Sequence, residues 1–137
     1  MSLAAPVRPV LPLWAAGPVA ATGGLVLTLA FPALSWWPMA FVGVTLALIA
    51  LIGRRFWSSA LVGFAFGAAF FFVNLLFTAR YLGPVPWIAL SMLESVLTAA
   101  GATLIALAYR WLPRVAAGPW ARLVALPALV AGLWTLQ

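Results

Sequence analysis

The chain of 137 residues is rich in apolar side chains and almost free of charge. Hydrophobic residues make up 67% of it and charged residues 6%, whereas a soluble domain has about 45–50% and about 25%. This composition excludes an ordinary soluble fold and makes lipid the solvent for most of the chain. The net charge of +6 comes from arginines at the ends of apolar runs. They lack the interleaved aromatic residues of a nucleic-acid surface, so we expect no nucleic-acid partner.

A short tail and five apolar runs follow one another along the chain. Three prolines make residues 1–12 an irregular N-terminal tail, and residues 13–137 are predicted to form one transmembrane helical domain. The predicted helices cover about residues 13–31, 39–53, 56–79, 87–109 and 122–137. The first two are short for a full span, especially if Pro18 marks a helix start, and the last is truncated at Gln137. The predicted fold is therefore an all-α membrane protein, a polytopic bundle of about five transmembrane helices.

The first apolar run also fits a secretory signal peptide with Arg8 as its charged region. We favour a helix that stays in the protein, because no soluble domain follows and the next apolar run begins almost at once.

The arginines predict the orientation of the chain in the membrane. If successive connections alternate sides, Arg80 lies on one side and the other six arginines lie on the opposite side. Cytoplasmic loops carry an excess of arginine and lysine. We therefore expect a multi-pass protein of the cell inner (plasma) membrane with a cytoplasmic N-terminus, whose connections at residues 31–38 and 80–86 face the exterior.

Small residues mark the third predicted helix as a packing element. Gly63 and Gly67 are one helical turn apart, and such spacing lets a neighbouring helix approach closely. Close packing is favoured over a ligand groove between the helices.

Three polar residues within or beside the apolar runs are candidate substrate-binding residues: Glu94, Arg80 and Asn74. Glu94 is the only acid in the chain. A carboxylate inside a bilayer is normally paired, protonated or open to a polar cavity. An Arg80–Glu94 contact is the favoured interpretation, and a substrate-contacting or proton-handling role is the alternative that Glu94→Gln would distinguish. Asn74, late in the third predicted helix, is expected to bond to another helix or to a loop.

No catalytic residues can be assigned within the chain. It contains no Cys, His, Lys or Asp, so no base is available to activate its Ser and Thr hydroxyls, and a buried Glu94 is a poor base. The chain likewise has no metal-ligand cluster and no glycine-rich phosphate loop, so we expect neither a metal nor a cofactor.

Several segments, in this order, resemble the N-terminal membrane part of apolipoprotein N-acyltransferases. They are Leu29-Ala30-Phe31-Pro32, Trp36-Trp37-Pro38, Arg54-Arg55, the run from Gly63 to Phe71, Tyr81-Leu82-Gly83, Pro86-Trp87, Leu126-Pro127-Ala128-Leu129 and Leu133-Trp134. The resemblance covers about residues 25–137. Relatives commonly carry a tryptophan near the end of the third helix, where this chain has Phe77 and Thr78.

The resemblance implies an eight-helix membrane bundle with an exterior nitrilase-like domain that carries a Glu–Lys–Cys triad. In this family the cysteine takes an acyl chain from a membrane phospholipid and passes it to the N-terminal cysteine of a lipoprotein acceptor. None of the three triad residues can be placed on this chain. We therefore expect a fragment of a larger acyltransferase that anchors the enzyme and contacts lipid, and that is inactive alone.

Two further interpretations remain open. The chain could be a non-catalytic membrane module that binds a partner enzyme, since some family relatives associate with a polyprenyl-phosphate mannosyltransferase. A small transporter or channel subunit is disfavoured, because one acid and few polar groups make a poor pathway through a membrane.

Overall fold

The computed structural model describes residues 8–31, 34–115 and 118–135. Residues 1–7 of the predicted tail and residues 136–137 of the last predicted helix lie outside these ranges. The described residues form six α-helices and no strand, which confirms the predicted all-α membrane fold. The helices are α1 (Leu13–Thr28), α2 (Pro38–Leu51), α3 (Phe56–Asn74), α4 (Leu76–Leu82), α5 (Pro84–Val115) and α6 (Pro119–Thr135).

Helix lengths divide the bundle into long and short members. Among the described residues, α3 with 19 residues and the 28-residue segment Pro84–Trp111 of α5 are long and apolar enough to cross a membrane. At 1.5 Å per residue α3 is about 29 Å long, which matches a hydrocarbon core of about 30 Å. The apolar helices α1 and α2 are shorter, with 16 and 14 residues.

Exposed aromatic side chains lie at both ends of the bundle. Trp14, Trp57 and Trp111 are exposed at the end where α1 and α3 begin. Trp36, Trp37 and Tyr81 are exposed at the other end. Tryptophan and tyrosine concentrate at the two membrane–water interfaces, so these residues mark the boundaries of the apolar layer. We call the first end, which also carries Arg8, Arg54 and Arg55, the arginine end, and the other the opposite end.

Adjacent glycines let α1 pack against two neighbours at once. A Cβ added to Gly23 would lie 2.8 Å from the carbonyl oxygen of Gly43 in α2. A Cβ added to Gly24 would overlap the backbone carbonyl oxygen of Phe66 in α3. Neither position has room for a larger side chain, so the backbones themselves form these contacts.

The structure confirms the close packing predicted at Gly63 and Gly67. A Cβ on Gly63 would lie 3.0 Å from the Cα of Ala99, and one on Gly67 would lie 3.1 Å from the Cα of Ser95. Both partners are in α5, which runs antiparallel to α3. The two longest apolar helices therefore meet along the glycine face of α3.

The third predicted helix, residues 56–79, is two helices in the structure. Leu75 has φ −89° and ψ 7°, which ends α3 and separates it from α4. Gly83 then connects α4 to α5 with φ +91°, a conformation that glycine adopts without a Cβ clash. α5 begins at Pro84, three residues before the predicted start, because proline is well tolerated in the first turn of a helix.

Candidate functional site

An apolar groove lies at the opposite end of the bundle, where α1, α3 and α4 come together. Its volume is about 610 Å³, within the range of about 300–1,000 Å³ that is usual for small-molecule sites. The residues that line it are Thr28, Phe31, Leu34, Phe70, Phe71, Val73, Asn74, Leu75 and Phe77. Four of these nine are phenylalanines, so the walls suit a hydrocarbon chain rather than a polar substrate.

The break between α3 and α4 shapes the groove. Because α3 ends at Asn74 and the chain turns at Leu75, Phe77 lines the groove together with the last turn of α3. On the α1 side, the ring of Phe31 meets that of Phe70 edge-on, with centroids 5.1 Å apart. Edge-to-face pairs of this kind hold aromatic rings in fixed orientations, so this part of the wall is preformed.

The two polar side chains of the groove bond to their own helices. Asn74 Nδ2 donates to the carbonyl oxygen of Phe70 at 3.2 Å, rather than to another helix or a loop as predicted. Thr28 Oγ1 donates to the carbonyl oxygen of Leu25 at 2.6 Å. Neither residue is placed beside a base, so these side chains can orient a ligand but cannot act as activated nucleophiles.

Of the three predicted site residues, only Asn74 lines the groove. Arg80 is exposed in the last turn of α4, and Glu94 is half-buried beside the buried positions Ser91 and Ser95 of α5. Within the described residues, Arg80 and Glu94 form no ion pair. α5 begins at Pro84, so Glu94 lies about 15 Å along the helix axis, farther from Arg80's end than the distance of about 10 Å expected for a helix that begins at Trp87.

Arg54 follows an apolar run, a position that predicts an arginine at the membrane surface, but in the structure it is buried. Only 4% of Arg54 is exposed. Its Nε donates to the carbonyl oxygen of Ala50 at 2.7 Å, and its Nη2 donates to that of Leu11 at 2.7 Å. Burial lowers the pKa of the guanidinium from its ordinary value. Arg54 therefore ties the α2–α3 connection to the segment before α1.

The face of α5 that meets α3 carries buried hydroxyl groups that the sequence analysis did not single out. Ser91 and Ser95 are fully buried, and Thr98 is nearly so. Ser95 Oγ donates to the carbonyl oxygen of Ser91 at 2.6 Å, while Ser91 Oγ has no partner in the described part of the chain. Their spacing of three and four residues is the signal that could have identified this face.

Comparisons with known proteins give a consistent result. Residues 23–137 match a family model described as the apolipoprotein N-acyltransferase N-terminal domain. The chain is also similar to the apolipoprotein N-acyltransferase of Mycolicibacterium smegmatis, with 41% identity over 78 residues. This match covers 54% of the chain and 13% of the relative, so the chain corresponds to a small part of that protein's length. No solved structure matches the chain.

Proposed function

The chain belongs to the apolipoprotein N-acyltransferase N-terminal domain family, and from this membership we propose that it is the membrane part of a lipid-using acyltransferase. That enzyme transfers an acyl chain from a membrane phospholipid to the N-terminal cysteine of a lipoprotein. The share of this chain is to anchor the enzyme and to hold lipid, and the catalytic groups come from elsewhere in the enzyme.

The observation that carries this proposal is the apolar groove at the opposite end. Its phenylalanine walls offer a hydrocarbon chain the same apolar surroundings as the bilayer, in a fixed shape. Asn74 and Thr28 add two polar groups to the apolar wall, and these could orient the ester linkage of a lipid. The groove therefore accommodates one acyl chain of a phospholipid.

The amino-acid composition supports the proposal that the catalytic groups come from elsewhere in the enzyme. Acyl transfer through a thioester needs a thiolate, a base and a cationic group near the developing oxyanion. The chain has no cysteine, lysine or histidine, so it cannot supply the first of these. Neither comparison names a mannosyltransferase, and no contact in the structure favours that alternative partner.

The orientation proposed for the chain places the groove in the exterior leaflet. Arg8, Arg54 and Arg55 lie at the arginine end, and Arg80 lies at the opposite end. An inner-membrane protein with this arrangement has a cytoplasmic arginine end. A lipid bound in the groove then belongs to the leaflet that faces the lipoprotein acceptor.

A cross-linking experiment tests the lipid site. The purified chain is reconstituted in nanodiscs with a phospholipid that carries a photoactivatable acyl chain, and the labelled peptides are identified by mass spectrometry. Val73 lines the groove and is 48% exposed, so Val73→Trp fills the space. Leu61, on the same helix but outside the groove, is 56% exposed, so Leu61→Trp is the matched control.

We expect Val73→Trp to reduce labelling of the groove peptides several-fold and Leu61→Trp to leave it unchanged. Equal labelling in both variants would show that lipid contacts the bundle without using the groove. The same sample is assayed for transfer to a diacylglyceryl-modified cysteine peptide. Turnover by the 137-residue chain would contradict the proposal that the catalytic groups lie elsewhere.

A further inference from the structure

Three arginines are held in one corner of the arginine end. Gly53 has φ +70°, and a Cβ there would lie 2.6 Å from the carbonyl oxygen of Arg8, so the segment before α1 lies directly against the α2–α3 connection. The Arg54 hydrogen bond to Leu11 holds the two segments together. Arg8, Arg54 and Arg55 therefore belong to a single fixed corner rather than to two independent loops.

Of the three guanidinium groups, only that of Arg54 bonds to another part of the described chain. Arg54 is buried and bonded to backbone carbonyls. Arg8 and Arg55 are exposed, and neither side chain has a hydrogen bond or an ion pair within the described residues. The single acid of the chain, Glu94, lies within α5 and not in this corner. Arg8 and Arg55 therefore bring two positive charges to this corner, where the described residues offer no acid to compensate them.

Aromatic residues fix the depth of this corner in the membrane. Trp14 stands in the first turn of α1, and Phe56 and Trp57 stand in the first turn of α3, all of them exposed. The rings of Phe56 and Trp57 pack edge to face, with centroids 5.1 Å apart. Tryptophan side chains sit at the headgroup level, so Arg8 and Arg55 lie where lipid phosphates lie.

We propose that Arg8 and Arg55 bind the headgroup of an anionic phospholipid in the leaflet at the arginine end. A guanidinium can donate two parallel hydrogen bonds to the oxygens of one phosphate group. The two guanidinium groups together balance the negative charge of one phosphodiester and part of the charge of neighbouring lipids. A zwitterionic lipid offers the same phosphate, but its ammonium group is repelled by the second arginine. This site is separate from the groove, which lies at the opposite end of the bundle.

The test measures phosphatidylglycerol binding to the purified chain in mild detergent by native mass spectrometry, with phosphatidylcholine of identical acyl chains as the comparison lipid. We expect phosphatidylglycerol to bind more tightly, and each of Arg8→Gln and Arg55→Gln to weaken it about fivefold, the effect of about one interfacial charge. Arg80→Gln is the matched control, because it removes an exposed arginine at the opposite end.

Three results would overturn the proposal. Equal binding of the two lipids would show that binding at this corner does not depend on the charge of the headgroup. Unchanged binding in Arg8→Gln and Arg55→Gln would show that these residues are not the site. An equal loss in Arg80→Gln would show that only net charge matters. Circular dichroism of each variant confirms that the helices are intact, which we expect because all three side chains are exposed.

Discussion

At the scale of single residues, Arg54 shows how one side chain can fix one end of a bundle. The last carbonyl groups of a helix have no partner within it, and Arg54 Nε satisfies that of Ala50 at the end of α2. Its Nη2 reaches the carbonyl oxygen of Leu11, more than forty positions earlier in the chain. The planar guanidinium can make both bonds at once because its donors point in fixed, different directions.

Replacing Arg54 should therefore destabilise the fold far more than replacing its neighbour. We expect Arg54→Met to lower the free energy of unfolding by about 2–3 kcal/mol, because the buried carbonyl group of Ala50 and the partly buried one of Leu11 lose a charged donor. Arg55→Met, at an exposed position, should change it by less than about 0.5 kcal/mol. Equilibrium unfolding in detergent without anionic lipid measures both. Equal effects of the two variants would contradict the role assigned to Arg54.

The burial of Arg54 could not be predicted from its place in the sequence. An arginine pair after an apolar run is typical of a membrane boundary, and Arg55 fits that pattern. What separates the two is the path of residues 8–12, which depends on the left-handed conformation of Gly53. The predicted Arg80–Glu94 contact is absent for a related reason, since its prediction depended on where α5 begins.

At the scale of helices, the α3–α5 interface is the part that the sequence predicted best. Gly63 and Gly67 recur with the spacing of one turn, and that spacing alone indicates a face where a second backbone can approach. The structure places α5 on that face. Small-residue patterns are predictive in a membrane because lipid is as apolar as the helix surface, so the hydrophobic effect does not drive helices together. Their association depends instead on close packing.

A methyl group at this interface should be costly. We expect Gly63→Ala to destabilise the chain by about 1–3 kcal/mol, because the added Cβ would overlap Ala102 and crowd Ala99. A Cβ added at Gly132 in α6 would have no atom of the described residues within 4 Å, so Gly132→Ala should be neutral or stabilising by up to about 1 kcal/mol. Thermal unfolding of both variants in one detergent measures the difference. A neutral Gly63→Ala would mean that α3 and α5 separate more readily than the structure indicates.

The break between α3 and α4 lay beyond what the sequence could predict. No proline or glycine stands near Leu75, so the sequence predicts one helix for the apolar run from residue 56 to residue 79. The groove depends on this break, because it brings Phe77 beside the end of α3. The polarity of Asn74 is the only feature of the sequence that makes it a candidate, and its place in the groove follows from tertiary structure.

At the scale of the whole molecule, the two ends of the bundle differ in charge and resemble each other in aromatic content. Both ends expose tryptophan or tyrosine, as expected where a protein meets the two interfaces of a bilayer. Arg80 lies at one end, whereas Arg8, Arg54 and Arg55 lie at the other. This asymmetry is the basis for the cytoplasmic N-terminus that we propose.

The absence of cysteine makes the orientation directly testable. Trp57 and Tyr81 lie at opposite ends and are both 82% exposed, so Trp57→Cys and Tyr81→Cys form a matched pair. We expect a membrane-impermeant maleimide to label Tyr81→Cys in cells with an intact inner membrane, and Trp57→Cys only after that membrane is opened. The reverse pattern would place the arginine end outside, and with it the groove on the cytoplasmic side.

The short helices α1 and α2 have a consequence for the bilayer around them. With 14 residues, α2 spans about 21 Å, some 9 Å less than the usual hydrocarbon thickness. A mismatch of this size costs fractions of a kcal/mol per ångström, and lipids reduce the cost by compressing and tilting next to the protein. We therefore expect the two leaflets to lie closer together beside α1 and α2 than they do beside α3.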